Sequence, residues 1–179
     1  MRYVALLRGI NVGGKSKVPM ARLKQIFEEA GHTKVRTYIN SGNVVFDAPR
    51  GKTSDLAKRL EAAIASEFGF AARVLVLPGS AVTQIAAQLP DEWVRDEQSS
   101  CNVLFLLPER ASPKTLEAMA FNPEHEEARY CAGAILTRAD GSYLSRSGVH
   151  KLIGTELYAY VTIRNCRTAR KLAAMVDED

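Results

Sequence analysis

The chain has 179 residues, of which 46% are hydrophobic and 25% are charged, and its formal net charge is +4. These values are typical of a soluble protein with enough residues for one compact domain or two small fused ones. The sequence also predicts no membrane-spanning segment, because no apolar run approaches the length that a bilayer requires. The first eight residues are also too short, and too soon interrupted by charge, to form a signal peptide.

The first half is predicted to form a βαββαβ unit. Residues 3–8 predict a strand, and a helix is predicted to begin at Pro19 and to end at Gly31. Residues 40–43 tolerate positive φ and therefore predict a hairpin between strands over 35–39 and 44–47. A helix over 56–68 and a strand over 73–77 come next. This order is that of a ferredoxin-like unit with a largely antiparallel sheet.

The second half begins after a Pro-Gly break at residues 78 and 79. Its predicted elements are a helix over 80–88, a strand over 102–107, a helix over 113–120, a hairpin of strands 128–131 and 134–138, a helix over 149–153, a strand over 157–163 and a helix over 168–176. The predicted fold class is therefore α+β, with a ferredoxin-like half over 1–78 and a second similar half over 79–179 that carries an extra C-terminal helix. We expect the two halves to pack as one compact unit, although no residue-level repeat relates them.

Residues 9–16 match the phosphate-loop pattern of nucleotide-hydrolysing enzymes. In such a loop the glycine-rich turn runs directly into a helix, and the helix N-terminus and a lysine hold the phosphates. Here Pro19 would lie inside a helix that began at Gly14, where it lacks an N–H group and clashes with the preceding turn. The hairpin after that helix also favours antiparallel pairing, whereas phosphate-loop enzymes use parallel βαβ units. We therefore predict that Lys15 is not a catalytic phosphate-loop lysine and that the helix begins near Pro19.

The same loop is part of a longer set of motifs. These are LLRGINVGGK at 6–15, KVPM at 17–20, RTY at 36–38, SGNVVF at 41–46 and TIRNCRT at 162–168. Together they resemble a bacterial family of unknown function, catalogued as domain of unknown function 1697, and the resemblance extends from end to end of the chain. Cys166 stands where that family has Trp. The resemblance implies an α+β fold with ferredoxin-like character, and it implies no activity, substrate or catalytic residue.

Basic residues are concentrated near both ends of the sequence. Residues 1–27 contain Arg and Lys but no acid, residues 146–171 contain a single acid, and residues 91–127 are acidic. If the two ends meet in space, they form a positive face that suits phosphates or nucleic acid. The alternative is solvated charge scattered over the surface. The first hypothesis assigns nucleic-acid contacts to Lys15, Lys17, Arg167, Arg170 and Lys171.

Three polar clusters are candidates for a binding site: the loop at 8–17, the turn at 40–43 with Arg36 before it, and the pair at 164–165. Glycines let a backbone approach a ligand, and Arg and Lys donate hydrogen bonds to anions. If the clusters converge, they form an anion or nucleotide pocket. Taken separately, each is explained by turn or cap chemistry. The candidate ligand-binding residues are Arg8, Asn11, Lys15, Lys17, Arg36, Arg164 and Asn165.

Cysteines and histidines indicate no catalytic set and no metal site. Cys101, Cys131 and Cys166 are far apart and form no CxxC or Cys/His cluster, so we expect a reduced, cytoplasmic chain without zinc. His32 follows a helix-ending glycine and is expected at the surface. No catalytic residue and no cofactor is predicted. The leading hypothesis is a non-catalytic module that binds nucleic acid or another anion, and the alternative is an enzyme or sensor for a small phosphorylated metabolite or nucleotide.

Overall fold

The fold is that of a computed structural model, which describes residues 1–14 and 16–178. Their contacts divide the chain into two units. The first unit comprises Met1–Thr83 together with the C-terminal residues from Leu172, and the second comprises Gln84–Lys171. The sequence places the break after residue 78 and does not assign the C-terminal residues to the first unit. None of the described helices combines the length and the apolar content that crossing a bilayer requires.

The first unit is built on a four-stranded antiparallel sheet. In chain order its elements are β1 (Arg2–Leu7), α1 (Met20–Glu29), β2 (Thr33–Tyr38), β3 (Asn43–Asp47), α2 (Thr53–Phe68), β4 (Val74–Pro78) and α3 (Gly79–Ala87), the last of which crosses into the second unit. The strand order is β2-β3-β1-β4, and β1 pairs antiparallel with both β3 and β4. The predicted ferredoxin-like βαββαβ unit is confirmed.

Two amphipathic helices cover one face of this sheet. Helix α1 buries Leu23, Ile26 and Phe27, and α2 buries side chains at the same helical spacing. They pack on alternate residues of β1, including Tyr3 and Leu7, because successive side chains of a strand point to opposite faces. Gly69, which follows α2 with φ +72°, ends that helix in the left-handed conformation that glycine favours.

The predicted hairpin between β2 and β3 is confirmed. Tyr38 pairs with Asn43 across the hairpin, and Gly42 has φ +74°. A Cβ atom at Gly42 would lie 2.7 Å from Leu7 Cβ and 2.7 Å from Ile10 Cδ1. Glycine is therefore required here both for the backbone conformation and for the close approach of the chain just after β1.

The second unit repeats the same topology. Its elements are β5 (Ser99–Leu106), α4 (Pro113–Glu117), β6 (Glu126–Cys131), β7 (Ala134–Asp140), α5 (Gly148–Leu152), β8 (Val161–Asn165) and α6 (Cys166–Asp177), the last of which crosses into the first unit. The strand order is β6-β7-β5-β8, and all pairs are antiparallel. The two halves are therefore similar, and α6 is the predicted extra helix.

The predicted strand over 157–163 is only partly correct. Residues Glu156–Tyr160 form a 3-10 turn, and β8 begins at Val161. The side chain of Thr155 accepts a hydrogen bond from the Tyr158 backbone N–H, and a local cap of this kind competes with the sheet for backbone groups. The apolar and aromatic residues at 157–160 look like a strand in the sequence because their spacing does not reveal that cap.

The expected reduced state of the cysteines is wrong for two of the three. Cys101 and Cys166 form a disulfide with their Cα atoms 5.5 Å apart, and Cys131 is free. Asn102 of β5 pairs with Asn165 of β8. The neighbouring residues Cys101 and Cys166 therefore lie opposite each other, although 65 positions separate them in sequence. The sequence hides this proximity because it arises only from the pairing of β5 with β8.

Candidate functional site

The glycine-rich loop, which we define as residues 8–18, leaves the sheet at the end of β1. The Leu7 N–H donates to the Gly42 carbonyl over 2.8 Å, and the Arg8 N–H donates to the Arg73 carbonyl over 2.9 Å. The loop therefore begins between the β2–β3 hairpin and the first residue before β4. Ile10 and Val18, each 2% exposed, anchor its two arms in the core.

Asn11 fixes the shape of the loop. Its Nδ2 donates to the carbonyls of Val18 (3.0 Å) and Asn40 (2.8 Å), and its Oδ1 accepts from the Val18 N–H (2.8 Å). Its backbone N–H donates to the Ser16 carbonyl. Both amide protons of Asn11 are therefore occupied in tying the loop to the hairpin, and the residue positions the loop instead of offering a free amide to a ligand.

The tip of the loop is open. Val12 is 68% exposed, and Lys17 is exposed. Gly13 and Gly14 have φ of +60° and +75°, and a Cβ atom on either would meet nothing within 4 Å. No backbone hydrogen bond among the described residues uses the N–H of Gly13 or Gly14. The tip thus presents glycine backbone and positive charge to solvent.

The described part of the loop does not have the arrangement of a nucleotide-hydrolysing site. Helix α1 begins at Met20, and Pro19 before it is extended, with φ −62° and ψ 128°. The predicted helix start is confirmed, and the glycines are separated from the helix N-terminus by several residues of loop. The prediction that Lys15 is not a catalytic phosphate-loop lysine concerns a residue outside the described residues.

Arg36 is hydrogen-bonded to the C-terminal residues. It lies on β2, and its guanidinium donates to the Met175 carbonyl and, over 2.9 Å, to the Glu178 carboxylate. Arg2 on β1 donates to the Val176 and Glu178 carbonyls and pairs with Asp47. The two arginines thus cap the C-terminal end of α6, where cations are favourable. The hydrogen bond from Arg2 holds the pKa of the Asp47 carboxyl below its usual range.

Arg164 and Asn165 lie in the second unit. Arg164 is 8% exposed, and its Nη1 donates to Thr162 Oγ1 (3.1 Å) and to the Ile163 carbonyl (2.9 Å). Burial lowers its pKa to about 10, so it stays charged at neutral pH. Asn165 Oδ1 accepts from the Thr168 N–H over 2.8 Å and caps the start of α6. Asn165 and the exposed Arg167 also line a cleft of about 530 Å³.

The predicted site residues thus separate into two groups. Arg8, Asn11, Lys17 and Arg36 belong to the first unit, and Arg164 and Asn165 belong to the second. Their convergence in one pocket stays a prediction. Among the other predicted nucleic-acid contacts, Arg170 donates to the carbonyls of Trp93 (3.0 Å) and Pro90 (2.6 Å), so its guanidinium supports the second unit's own backbone.

The expectation that His32 lies at the surface is wrong, because the residue is 7% exposed. Its backbone N–H donates to the Phe27 carbonyl, and the Gly31 N–H donates to the Glu28 carbonyl. This is the Schellman pattern that ends a helix at glycine, in which the residue after the glycine packs back onto the helix. The His32 ring accordingly contacts Phe27 and Phe46, with ring centroids 6.1 Å and 4.8 Å apart. The Phe27-to-Gly31-to-His32 spacing is the sequence signal that reveals this burial.

Comparisons with known proteins agree with the fold and name no activity. Residues 1–136 match the family described as "Protein of unknown function (DUF1697)". A solved structure described as "conserved bacterial protein SP0830 from Streptococcus pneumoniae" is similar, with 32% sequence identity, coverage of 98% of each chain and a TM-score of 0.82. No curated protein matches the chain.

Proposed function

This chain belongs to the family of unknown function DUF1697, and we propose that it binds nucleic acid, without catalysis, through the glycine-rich loop. The observation that carries the proposal is a loop fixed at its base and open at its tip. Asn11 closes the base through three hydrogen bonds. The glycines at the tip let a phosphate approach the backbone, and lysine supplies charge.

An exposed tip favours an extended ligand over a small enclosed one. Small-molecule sites are concave and bury most of the ligand, whereas Val12, Gly13 and Gly14 are all exposed. A nucleic-acid backbone offers repeated phosphates that a projecting loop can contact without enclosing them. Such contacts position a nucleic acid without reading its sequence.

Ion pairs neutralise part of the basic N-terminal segment away from the loop. Among the described residues, Arg2 pairs with Asp47, Arg22 with Glu29 and Glu67, and Lys24 with Glu28. Arg8, Lys15 and Lys17 belong to the loop itself. These ion pairs lower the positive charge of the N-terminal segment outside the loop.

The test is fluorescence anisotropy with labelled single-stranded RNA, single-stranded DNA and duplex DNA across a salt series. We expect weak binding that falls with salt. The double variant Lys15→Glu/Lys17→Glu should weaken it and should lower the slope of log affinity against log salt by about 1.5, because each phosphate contact contributes roughly 0.7 to 0.9.

The matched control is Lys58→Glu/Lys114→Glu, which makes the same change of net charge at two exposed lysines outside the loop. It should leave most of the binding and most of the slope in place. No binding at low salt, or equal losses in both double variants, would overturn the proposal. Binding of a mononucleotide but not of oligonucleotides, abolished by the loop variant, would favour the alternative of a small phosphorylated ligand at the same loop.

A further inference from the structure

A cavity lies at the other end of the first sheet from the glycine-rich loop. Its volume is about 300 Å³, and its walls come from the turn before β2, the segment after β3 and the first two turns of α2. The register of the sheet separates the two places, since Leu6 near the loop pairs with Asn43, whereas Arg2 near the cavity pairs with Asp47. The cavity is therefore distinct from the loop on which the proposed function depends.

His32 lines this cavity with a buried ring that lacks a hydrogen bond. The residue is 7% exposed, and neither ring nitrogen bonds to any other described residue. Its Nδ1 is fully enclosed, whereas Nε2 is not. Burial, and then the nearby charge of Arg59, lower the pKa of His32, so the ring is neutral and carries one proton. An enclosed N–H without a partner costs more than an enclosed lone pair, which favours the proton on Nε2, where a ligand in the cavity can accept it.

The start of α2 forms another wall of the cavity. Lys52, the residue before the helix, is extended and gives no side-chain cap to the first turn. The first-turn residues that line the cavity, Asp55 and Leu56, donate their N–H groups to the Lys52 carbonyl (3.1 and 3.2 Å), so the ligand donors at this wall are side chains. The segment is held in place by Tyr3, whose Oη donates to the Gly51 carbonyl (3.4 Å) and accepts from the Gly51 N–H (3.2 Å). Tyr3 is itself 1% exposed in the core, so the cavity wall is built on a rigid residue.

The charge of the cavity wall is positive. Arg50, Lys52 and Arg59 line it, and Asp55 is the one acid among the lining residues. Within the part of the chain that the structure describes, none of these three cations forms an ion pair. A volume of about 300 Å³ lies at the lower end of the range for small-molecule sites, so the space suits a small anion and excludes a nucleic-acid strand.

We propose that this cavity binds the phosphate group of a small phosphorylated metabolite. The phosphate accepts hydrogen bonds from His32 Nε2 and from the guanidinium groups of Arg50 and Arg59, which also balance its charge. The rest of the metabolite occupies the remainder of the cavity. This site is independent of nucleic-acid binding by the glycine-rich loop.

The test is isothermal titration calorimetry of the full chain with ribose 5-phosphate, ribose and inorganic phosphate, in a buffer free of other oxyanions. We expect saturable binding of ribose 5-phosphate, weaker binding of inorganic phosphate and none of ribose. The variant Arg59→Gln should weaken binding at least tenfold, since a hydrogen bond to a charged group contributes that much. Lys58→Gln removes one charge at the neighbouring residue of the same helix, outside the cavity lining, and should change little.

A second readout monitors His32 directly. In a two-dimensional ¹H–¹⁵N spectrum of the imidazole groups, ribose 5-phosphate should shift the Nε2 signal of His32 in the wild type and in Lys15→Glu/Lys17→Glu. Absence of saturable binding at millimolar ligand would overturn the proposal. Equal losses in Arg59→Gln and Lys58→Gln, or equal affinity for ribose 5-phosphate and inorganic phosphate, would overturn it as well.

Discussion

Replacing Gly42 with alanine tests the contact between the hairpin and the glycine-rich loop. Gly42 has φ +74°, a region that costs a residue with a side chain about 1–2 kcal/mol. The new Cβ would also lie 2.7 Å from Leu7 Cβ, an atom close to the backbone that has little freedom to move. Leu7 and Ile10 are 1% and 2% exposed, and overpacking in a core of this kind costs about 1–3 kcal/mol. We therefore expect Gly42→Ala to lower the free energy of unfolding by about 2–5 kcal/mol in total.

The matched control is Gly69→Ala at the end of α2. Gly69 has φ +72°, almost the same as Gly42, but a Cβ atom there would meet nothing within 4 Å. The backbone cost and the loss of unfolded-state entropy are shared by the two variants, so their difference isolates the steric cost. We expect Gly42→Ala to be the less stable variant by about 1–3 kcal/mol.

The assay is urea denaturation monitored by far-ultraviolet circular dichroism, with the slope m checked for constancy. Trp93, the single tryptophan, belongs to the second unit, so its fluorescence reports that unit separately. If the two units unfold independently, the circular dichroism transition of Gly42→Ala shifts and the fluorescence transition does not. Equal stability of Gly42→Ala and Gly69→Ala would refute the steric reasoning.

Two further predictions concern a titration and a covalent bond. Burial lowers the pKa of folded His32 below the ordinary value of about 6.5, so its contribution to stability is present above that value and is lost as pH falls through it towards the folded pKa. Wild type should therefore lose more stability than His32→Phe between about pH 8 and about pH 5 in urea titrations, and equal losses would contradict the burial argument. For the disulfide, thiol titration in denaturant without reductant should find only Cys131 reactive. Reduction should then lower stability by up to about 4 kcal/mol, the chain entropy of a 65-residue loop, whereas three reactive thiols before reduction would contradict the Cys101–Cys166 bond.

Local chemistry explains the features that the sequence predicts correctly. Pro19 marks the start of α1, the turn at 40–43 marks the hairpin, and the helical spacing of apolar residues marks α2. Each of these signals acts over a few residues, so it can be recognised before the fold is known. Strand pairs can be inferred from those marks because a tight hairpin forces antiparallel neighbours. The predicted strand start at residue 157 is wrong for a local reason as well. The side chain of Thr155 caps the 3-10 turn at 156–160, and this cap outweighs the pattern of apolar residues.

The candidate site is less predictable because its parts meet through the fold. Asn11 looks like a ligand-binding amide in sequence, and only the position of Asn40 shows that its protons are already used. Arg36 looks like part of the turn cluster, yet it bonds to Met175 and Glu178 near the C-terminus. His32 lines a cavity whose cations come from residues 50–59. Each of these depends on long-range pairing that spacing does not encode.

The hydrogen bonds from Arg2 and Arg36 to the end of α6 determine the order in which the two units can be completed during synthesis. Residues from Leu172 onward complete the first unit, and Gly79 lies so close to Val176 that a Cβ atom there would be 2.7 Å from it. A ribosome must therefore make the whole second unit before the first can close, although domains usually fold in the order in which they emerge. The nascent first unit lacks the residues from Leu172 onward until the chain has been extended past Lys171. Premature termination anywhere in the second unit would thus damage the half of the protein that was synthesised first.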